Sequence, residues 1–297
     1  MNSFAPSMSK PVVIQKMWAF LQLGKPHISL PVSLSSLTGF ILFSGAFVQG
    51  WLSLLLGIFL LSSASAGINQ IQERKLDGLM ERTRQRPLPS GLLSLRESWM
   101  CTILCALGGL LLLWHAGGGT AAILGLLNLF TYNLAYTYLK RISLFAVIPG
   151  SLVGAIPPVI GWIAAGGHPG HHHIILLAMF FFIGQIPHTW LIMLRYDKEY
   201  KKAGFPSLSS TFSRRQIRSL TFVWVSATVL AALLISLSGM YHHHFAAVAT
   251  MLVGLLMMVF FARWLFLARD GQLRQAFIVL NLCYLLIMLL ILTDRLF

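Results

Sequence analysis

The sequence predicts an all-α fold, a polytopic membrane bundle of nine transmembrane helices, from three observations. Only 10% of the 297 residues are charged and 57% are apolar, with a mean hydropathy of +0.76, against roughly 25% charged in an ordinary soluble domain. The apolar residues gather in runs close to the ~20 residues that carry a helix across a hydrocarbon core. Lys and Arg collect between every second pair of runs, as cytoplasmic loops do.

Taken in order, the runs predict spans at 27–47, 51–69, 97–116, 119–138, 144–165, 173–194, 218–239, 246–267 and 275–293. The first follows Lys25-Pro26-His27, where His27 reads as an interfacial residue. The third and fourth are parted only by the glycines at 117–119. Pro149, Pro157 and Pro158, with Gly150, Gly154 and Gly161, interrupt the fifth, and such residues are tolerated in a membrane where a helix kinks or approaches a neighbour closely. A kinked helix lining an acceptor pocket is expected there. Phe180, Phe181 and Phe182 in the sixth span read as packing, and the tryptophans near span ends as interfacial anchors. The whole of 1–297 is expected to be one integral-membrane domain. No short apolar segment with a small-residue cleavage site opens the chain, so the first span is expected to be retained.

With the N-terminus in the cytoplasm, every Lys and Arg of the 22 except Arg295 falls inside, including Lys10, Lys16, Lys25 and Arg269. The expected setting is therefore the cytoplasmic membrane of a prokaryote, with the C-terminus outside. The formal charge of +14 is accounted for by this topology and does not call for nucleic acid. Cys101, Cys105 and Cys283 lie inside apolar runs without metal or disulfide spacing, where a thiol acts as a small hydrophobe. His171–173 and His242–244 fall on the outer side and read as solvated loop residues. Phosphate-binding glycine loops, a nucleophilic serine and a structural zinc pattern are absent.

Two cytoplasmic loops, 70–96 and 195–217, are much longer than the others, and long connections in compact proteins tend to be functional. They follow spans four helices apart, which suggests two related halves plus one helix, with a ligand site between halves. Five of the eight acidic residues stand at these two places: Glu73, Asp77 and Glu81, then Asp197 and Glu199. Asn69, Glu73, Asp77 and Glu81 recur every four residues, a drift of only ~40° per step on a helix, so they can form one stripe. Hard oxygen ligands at a helix C-terminus suit Mg²⁺, which is usually shared between carboxylates and substrate phosphates. Arg74, Lys75, Arg82, Arg84 and Arg86 beside the first group, and Lys198, Lys201 and Lys202 beside the second, point to a phosphorylated ligand. Acids at the boundary and almost none within the spans argue against a transporter, whose ionisable groups lie near the midplane.

These residues resemble the UbiA superfamily of intramembrane prenyltransferases. The densest likeness is N-Q-I-Q-E-R-K-L-D-G-L-M-E-R-T-R-Q-R-P-L-P-S-G at 69–91, supported by Y-T-Y-L-K-R at 136–141, G-A-I-P-P-V-I-G-W at 154–162, Pro187-His188, and Y-K-K-A-G-F-P at 200–206. The M-x-R-T-x-x-R-P-L-x-x-G continuation resembles the heme-modifying members in particular. Glu73 and Glu199 stand where the family usually has Asp, keeping the charge on a longer arm. Ala146 stands where the heme enzymes tend to have Asn, and F-P-S-L-S at 205–209 differs from their V-P-M-L-P-like run. The resemblance implies farnesyl diphosphate bound with Mg²⁺ by Asn69, Glu73, Asp77, Asp197 and Glu199, the four carboxylates being the metal ligands. It implies Arg82, Arg86, Lys140 and Arg141 on the departing pyrophosphate, and His188 and Tyr200 as further substrate contacts. The implied acceptor is a vinyl group of protoheme IX, with an aromatic quinone precursor or another lipid-soluble molecule as the alternative. Membrane lipid, and heme A synthase or heme-copper oxidase assembly proteins, are the partners it implies.

Overall fold

A computed structural model describes residues 12–267 and 272–297, so Lys10 and Arg269 lie outside the described residues. The helices run α1 (Val12–Gly24), α2 (Pro26–Ser44), α3 (Trp51–Asp77), α4 (Leu95–Phe130), α5 (Thr137–Leu139), α6 (Val147–Ala164), α7 (His172–Arg195), α8 (Asp197–Lys202), α9 (Leu208–Thr211), α10 (Arg214–Leu237), α11 (His244–Leu267) and α12 (Leu273–Leu296), with no strand among the described residues. Among the described residues, eight stretches are long and apolar enough to cross a membrane. One of them, Leu95–Leu139, is 45 residues long and holds the third and fourth expected spans. It breaks at Gly117 (φ −147°, ψ 21°) and Gly118 (φ 66°, ψ −162°). A Cβ on Gly125 would lie 2.5 Å from Leu113 Cδ1, whereas twelve residues of straight helix would part them by about 18 Å. The chain therefore doubles back at the glycines, and the expected pair of spans is a hairpin without a polar loop.

Elsewhere the structure lengthens what the apolar runs suggest. α3 continues to Asp77, eight residues beyond the expected end of its span, so Asn69, Glu73 and Asp77 are helical. Glu81 lies past the helix and is exposed; the stripe expected of four residues has three. α1 precedes the first span and leaves Val13, Met17, Trp18 and Leu21 exposed, an apolar face of the kind that lies in a membrane interface. It is held by the Lys16–Glu97 ion pair (2.7 Å) and by Gln70 Nε2, which donates to the carbonyls of Gln22 (3.1 Å) and Leu23 (2.8 Å). Gln70 thereby caps α1 from within α3.

Glycine sets the tightest crossing. A Cβ at Gly39 would lie 1.9 Å from the Pro158 carbonyl oxygen, and one at Gly161 1.8 Å from that of Ser36. α2 and α6 thus touch backbone to backbone, the packing that small residues permit in membranes. The hydroxyls of Ser33, Ser36 and Thr38 on α2 donate back to carbonyls one turn earlier, which satisfies them inside an apolar bundle. Pro157 and Pro158 sit within α6. α12 closes the bundle on α2, where Leu292 joins Leu37 and Phe40 in one core cluster and Ile287 and Ile291 join Leu42 in a second.

Candidate functional site

The last turns of α3 bury the stripe: Asn69, Glu73 and Asp77 are all nearly inaccessible. Asn69 Nδ2 donates to Thr137 Oγ1 (3.2 Å). Glu73 Oε2 accepts from Lys140 Nζ at 2.9 Å, and its other oxygen, Oε1, is buried with no partner. Asp77 takes Arg86 through both oxygens at 2.7 Å. Burial pulls the Lys140 ammonium towards neutrality, but the Glu73 carboxylate and, after it, Tyr136, Tyr132 and Tyr200 together more than offset this and raise its pKa above the ordinary lysine value. The wider, π-helical turn Thr131–Tyr136 re-aims the chain so that Tyr136 and Lys140 meet the stripe. Asn133 binds the Ser65 carbonyl (3.0 Å) and its own carbonyl accepts from Gln72 (3.1 Å). Such turns are often found at functional sites.

The second acidic group lies on α8. Asp197 accepts from Ser207, from Ser209 Oγ (2.7 Å) and from Lys201 Nζ (3.2 Å). Partial burial raises its pKa, and these donors reverse that, leaving the carboxyl below its usual value. Glu199 Oε2 accepts from the Arg82 backbone N–H (3.0 Å), while the Arg82 guanidinium lies 4.5 Å above the Tyr196 ring. Arg141 donates to the Gln72 carbonyl (3.2 Å). The motifs therefore meet along Met80–Arg82 and Tyr196–Phe205, with Met80, Tyr200 and Phe205 in one apolar cluster. The structure does not gather the four carboxylates around one point. Glu73 and Asp77 face inward on their cations, and Asp197 and Glu199 line an outer groove together with Glu81.

An inner cavity of about 280 Å³ opens beside the stripe. Lys25, Lys140, Tyr136 and Tyr200 form its charged end, and Ile58, Leu61, Leu129 and Ile160 are among its apolar walls. His188 lines it, as does Ala146, one of the departures from the heme-type pattern. Lys25 is a site residue the sequence reading placed only as a basic flank. It has φ +47°, the one positive φ outside glycine among the described residues, and Pro26 after it disfavours the helical alternative. Burial, then the charges of Arg86 and Lys140, depress its pKa to about 7. The signal in the sequence was a lone Lys before Pro where one helix ends and the next begins.

The outer groove has a volume of about 1020 Å³ and is lined by Arg195, Lys198, Lys201 and Lys202, with Arg214, Arg218 and Trp264 on its far side. Lys198 and Lys202 have no acceptor among the described residues. At the opposite end of the bundle the ligand nitrogens of His171, His172 and His173 lie within 4.8 Å of one another. His243 there donates its backbone N–H to Asp294 (2.9 Å).

A membrane-embedded helical chamber with cations and carboxylates at its polar end and an apolar depth is built for an amphiphile with a polyanionic head. This is the form of a membrane protein that takes an amphiphilic ligand with an anionic head. Residues 32–290 match the model of the UbiA prenyltransferase family, and the chain belongs to that family: it is a prenyltransferase and an integral membrane protein. It is 39% identical over 221 residues to a protoheme IX farnesyltransferase of Geobacter sulfurreducens, covering 74% of this chain and 81% of that one. It is 34% identical over 269 residues to a protoheme IX farnesyltransferase of Oleidesulfovibrio alaskensis, covering 89% and 92%. Among solved structures, a digeranylgeranylglyceryl phosphate synthase matches with TM-score 0.77 at 16% identity, over 95% of this chain and 99% of that one. A UbiA homolog from Archaeoglobus fulgidus bound to DMAPP and Mg²⁺ matches with TM-score 0.66 at 18% identity, over 92% and 99%. These two share the fold.

Proposed function

We propose that the protein transfers the farnesyl group of farnesyl diphosphate to a vinyl group of protoheme IX, giving heme O and pyrophosphate. The observation that carries the site is the amphiphilic cavity beside Glu73 and Asp77, and the acceptor follows from the relatives named protoheme IX farnesyltransferase. The residues fit a hard divalent cation: Glu73 Oε1 is a buried carboxylate oxygen with no partner, and the donors are all oxygens, as Mg²⁺ requires. Glu73 and Asp77 would hold one such ion, with Asn69 at the head of the stripe, and Asp197 and Glu199, on the outer groove, would hold a second. When bound, Mg²⁺ neutralises diphosphate oxygens and makes the group a better leaving group.

The chain's own residues do the rest. Lys25, Lys140 and Arg86 surround the head with positive charge, which stabilises the charge gathering on the departing diphosphate. The walls formed by Ile58, Leu61, Leu129 and Ile160 take the isoprenoid tail and exclude water from the allylic carbon. The two propionates of the heme are dianionic, and the groove carrying Lys198 and Lys202 is the cationic surface nearest the second motif. On this reading the N-terminus and both motif loops face the cytoplasm of a prokaryote, the C-terminus lies outside, and the product supplies heme A synthase or heme-copper oxidase assembly.

The test is mass spectrometry of pigments after incubating purified protein with protoheme IX, farnesyl diphosphate and Mg²⁺, beside Asp77→Ala. A hydroxyethylfarnesyl heme that vanishes in the variant supports the reading. Unchanged heme with pyrophosphate still released overturns heme as the acceptor, and leaves an aromatic quinone precursor as the molecule to try next.

A further inference from the structure

Beyond its charged end, the inner cavity carries a set of uncharged polar groups. Gln185, His188 and Thr189 are on one face of α7, three and four residues apart, and Asn128 on α4 and Ser62 and Ser65 on α3 line the same cavity. Asn128 Oδ1 is buried without a partner, and the partly exposed Gln185 amide and Thr189 hydroxyl also have none among the described residues. A buried polar atom left unpaired in this way calls for a polar ligand, and water serves where there is room and two to four partners.

Asn281 hydrogen-bonds His188, and its side-chain oxygen is available to accept from the imidazole N–H, since the bond to the Phe277 carbonyl (2.6 Å) engages only the amide nitrogen. The second ring nitrogen then carries a lone pair. We propose that this set of groups holds the single water that becomes the hydroxyl of the product, and that His188 removes its proton. The inference rests on the heme reading above.

In that reaction the terminal vinyl carbon bonds to the farnesyl C1 as the C1–O bond to diphosphate breaks, with the bonding pair leaving on the diphosphate. The positive charge falls on the vinyl carbon attached to the ring. The water oxygen bonds to that carbon, and its proton passes to the His188 lone pair. Without a held water the same cation would lose a proton from the neighbouring carbon and give an alkene lighter by one water. A prenyltransferase whose acceptor simply loses a proton has no use for a water site, so the set also separates the heme reading from an aromatic acceptor.

The experiment is product analysis in ¹⁸O-labelled water for wild type, His188→Ala, Gln185→Leu, Asn128→Leu and Asn281→Leu. The expected wild-type product is hydroxylated heme carrying ¹⁸O, and the variants shift the alkene-to-alcohol ratio at least tenfold towards alkene. This ratio is read within the prenylated product, so loss of turnover alone does not move it. Should His188→Ala fail to fold, the near-isosteric Gln185→Leu and Asn128→Leu decide. An unchanged ratio in the folded variants overturns the water site. Absence of any prenylated heme from wild type overturns the heme reading itself.

Discussion

Replacing Lys140 by Met leaves the Glu73 carboxylate with neither of its oxygens paired, since Oε2 has Lys140 at 2.9 Å and Oε1 has no partner. The Glu73 side chain is 5% exposed, so water cannot take the lysine's place. Breaking a buried ion pair from one side costs about 3–5 kcal/mol. Glu73→Gln should cost clearly less, because Lys140 is 17% exposed and lies 5.3 Å from the Tyr136 ring and 5.9 Å from that of Phe205, which share its charge. The double variant Glu73→Gln/Lys140→Met should recover most of the loss. Thermal unfolding in detergent checks this. Pyrophosphate release should be lost in all three variants. A Lys140→Met deficit no larger than that of Glu73→Gln would refute the reasoning.

Lys25, with its pKa near 7, should take up a proton when diphosphate binds, so wild-type affinity for inorganic pyrophosphate should weaken on raising the pH through 7 relative to Lys25→Arg, which stays charged; titration calorimetry of both proteins gives the ratio. Lys202→Glu and Lys198→Glu, in the outer groove, should raise KM for protoheme several-fold while leaving that for farnesyl diphosphate and that for the heme dimethyl ester unchanged. Gly161→Ala should abolish recovery of monodisperse protein, since its Cβ would overlap a backbone oxygen of α2, whereas Gly91→Ala, with nothing within 4 Å but φ +75°, should cost only about 1 kcal/mol; size-exclusion profiles distinguish them.

The helical class, the apolar spans and the two motif regions were legible because each depends on a local property: apolar length, the side on which Lys and Arg collect, and a four-residue spacing. What was not legible depends on the third dimension. The hairpin at Gly117–Gly118 reads in sequence as two spans with a short loop, and only the approach of Gly125 to Leu113 shows that no polar turn is present. The π-helical turn at Thr131–Tyr136 has no sequence signature, yet it decides that Lys140 reaches Glu73 while Arg141 turns to a carbonyl. Arg82 matches the motif as Arg86 does, but its backbone serves Glu199 and its side chain covers Tyr196.

The pairing pattern explains why the acidic residues are tolerated where they are. Burying a charge without a partner is costly. Here each carboxylate has its own cation, Glu73 with Lys140 and Asp77 with Arg86. Lys25 adds a third cation, whose pKa is depressed by burial first and then by the charges of Arg86 and Lys140, and with it a surplus of positive charge that an incoming polyanion would relieve. Removing the surplus, as in Lys25→Met, should therefore weaken pyrophosphate binding while leaving thermal stability unchanged or raised. A loss of stability comparable to that of Lys140→Met would mean that Lys25 is a structural cation, not one held in reserve for the ligand.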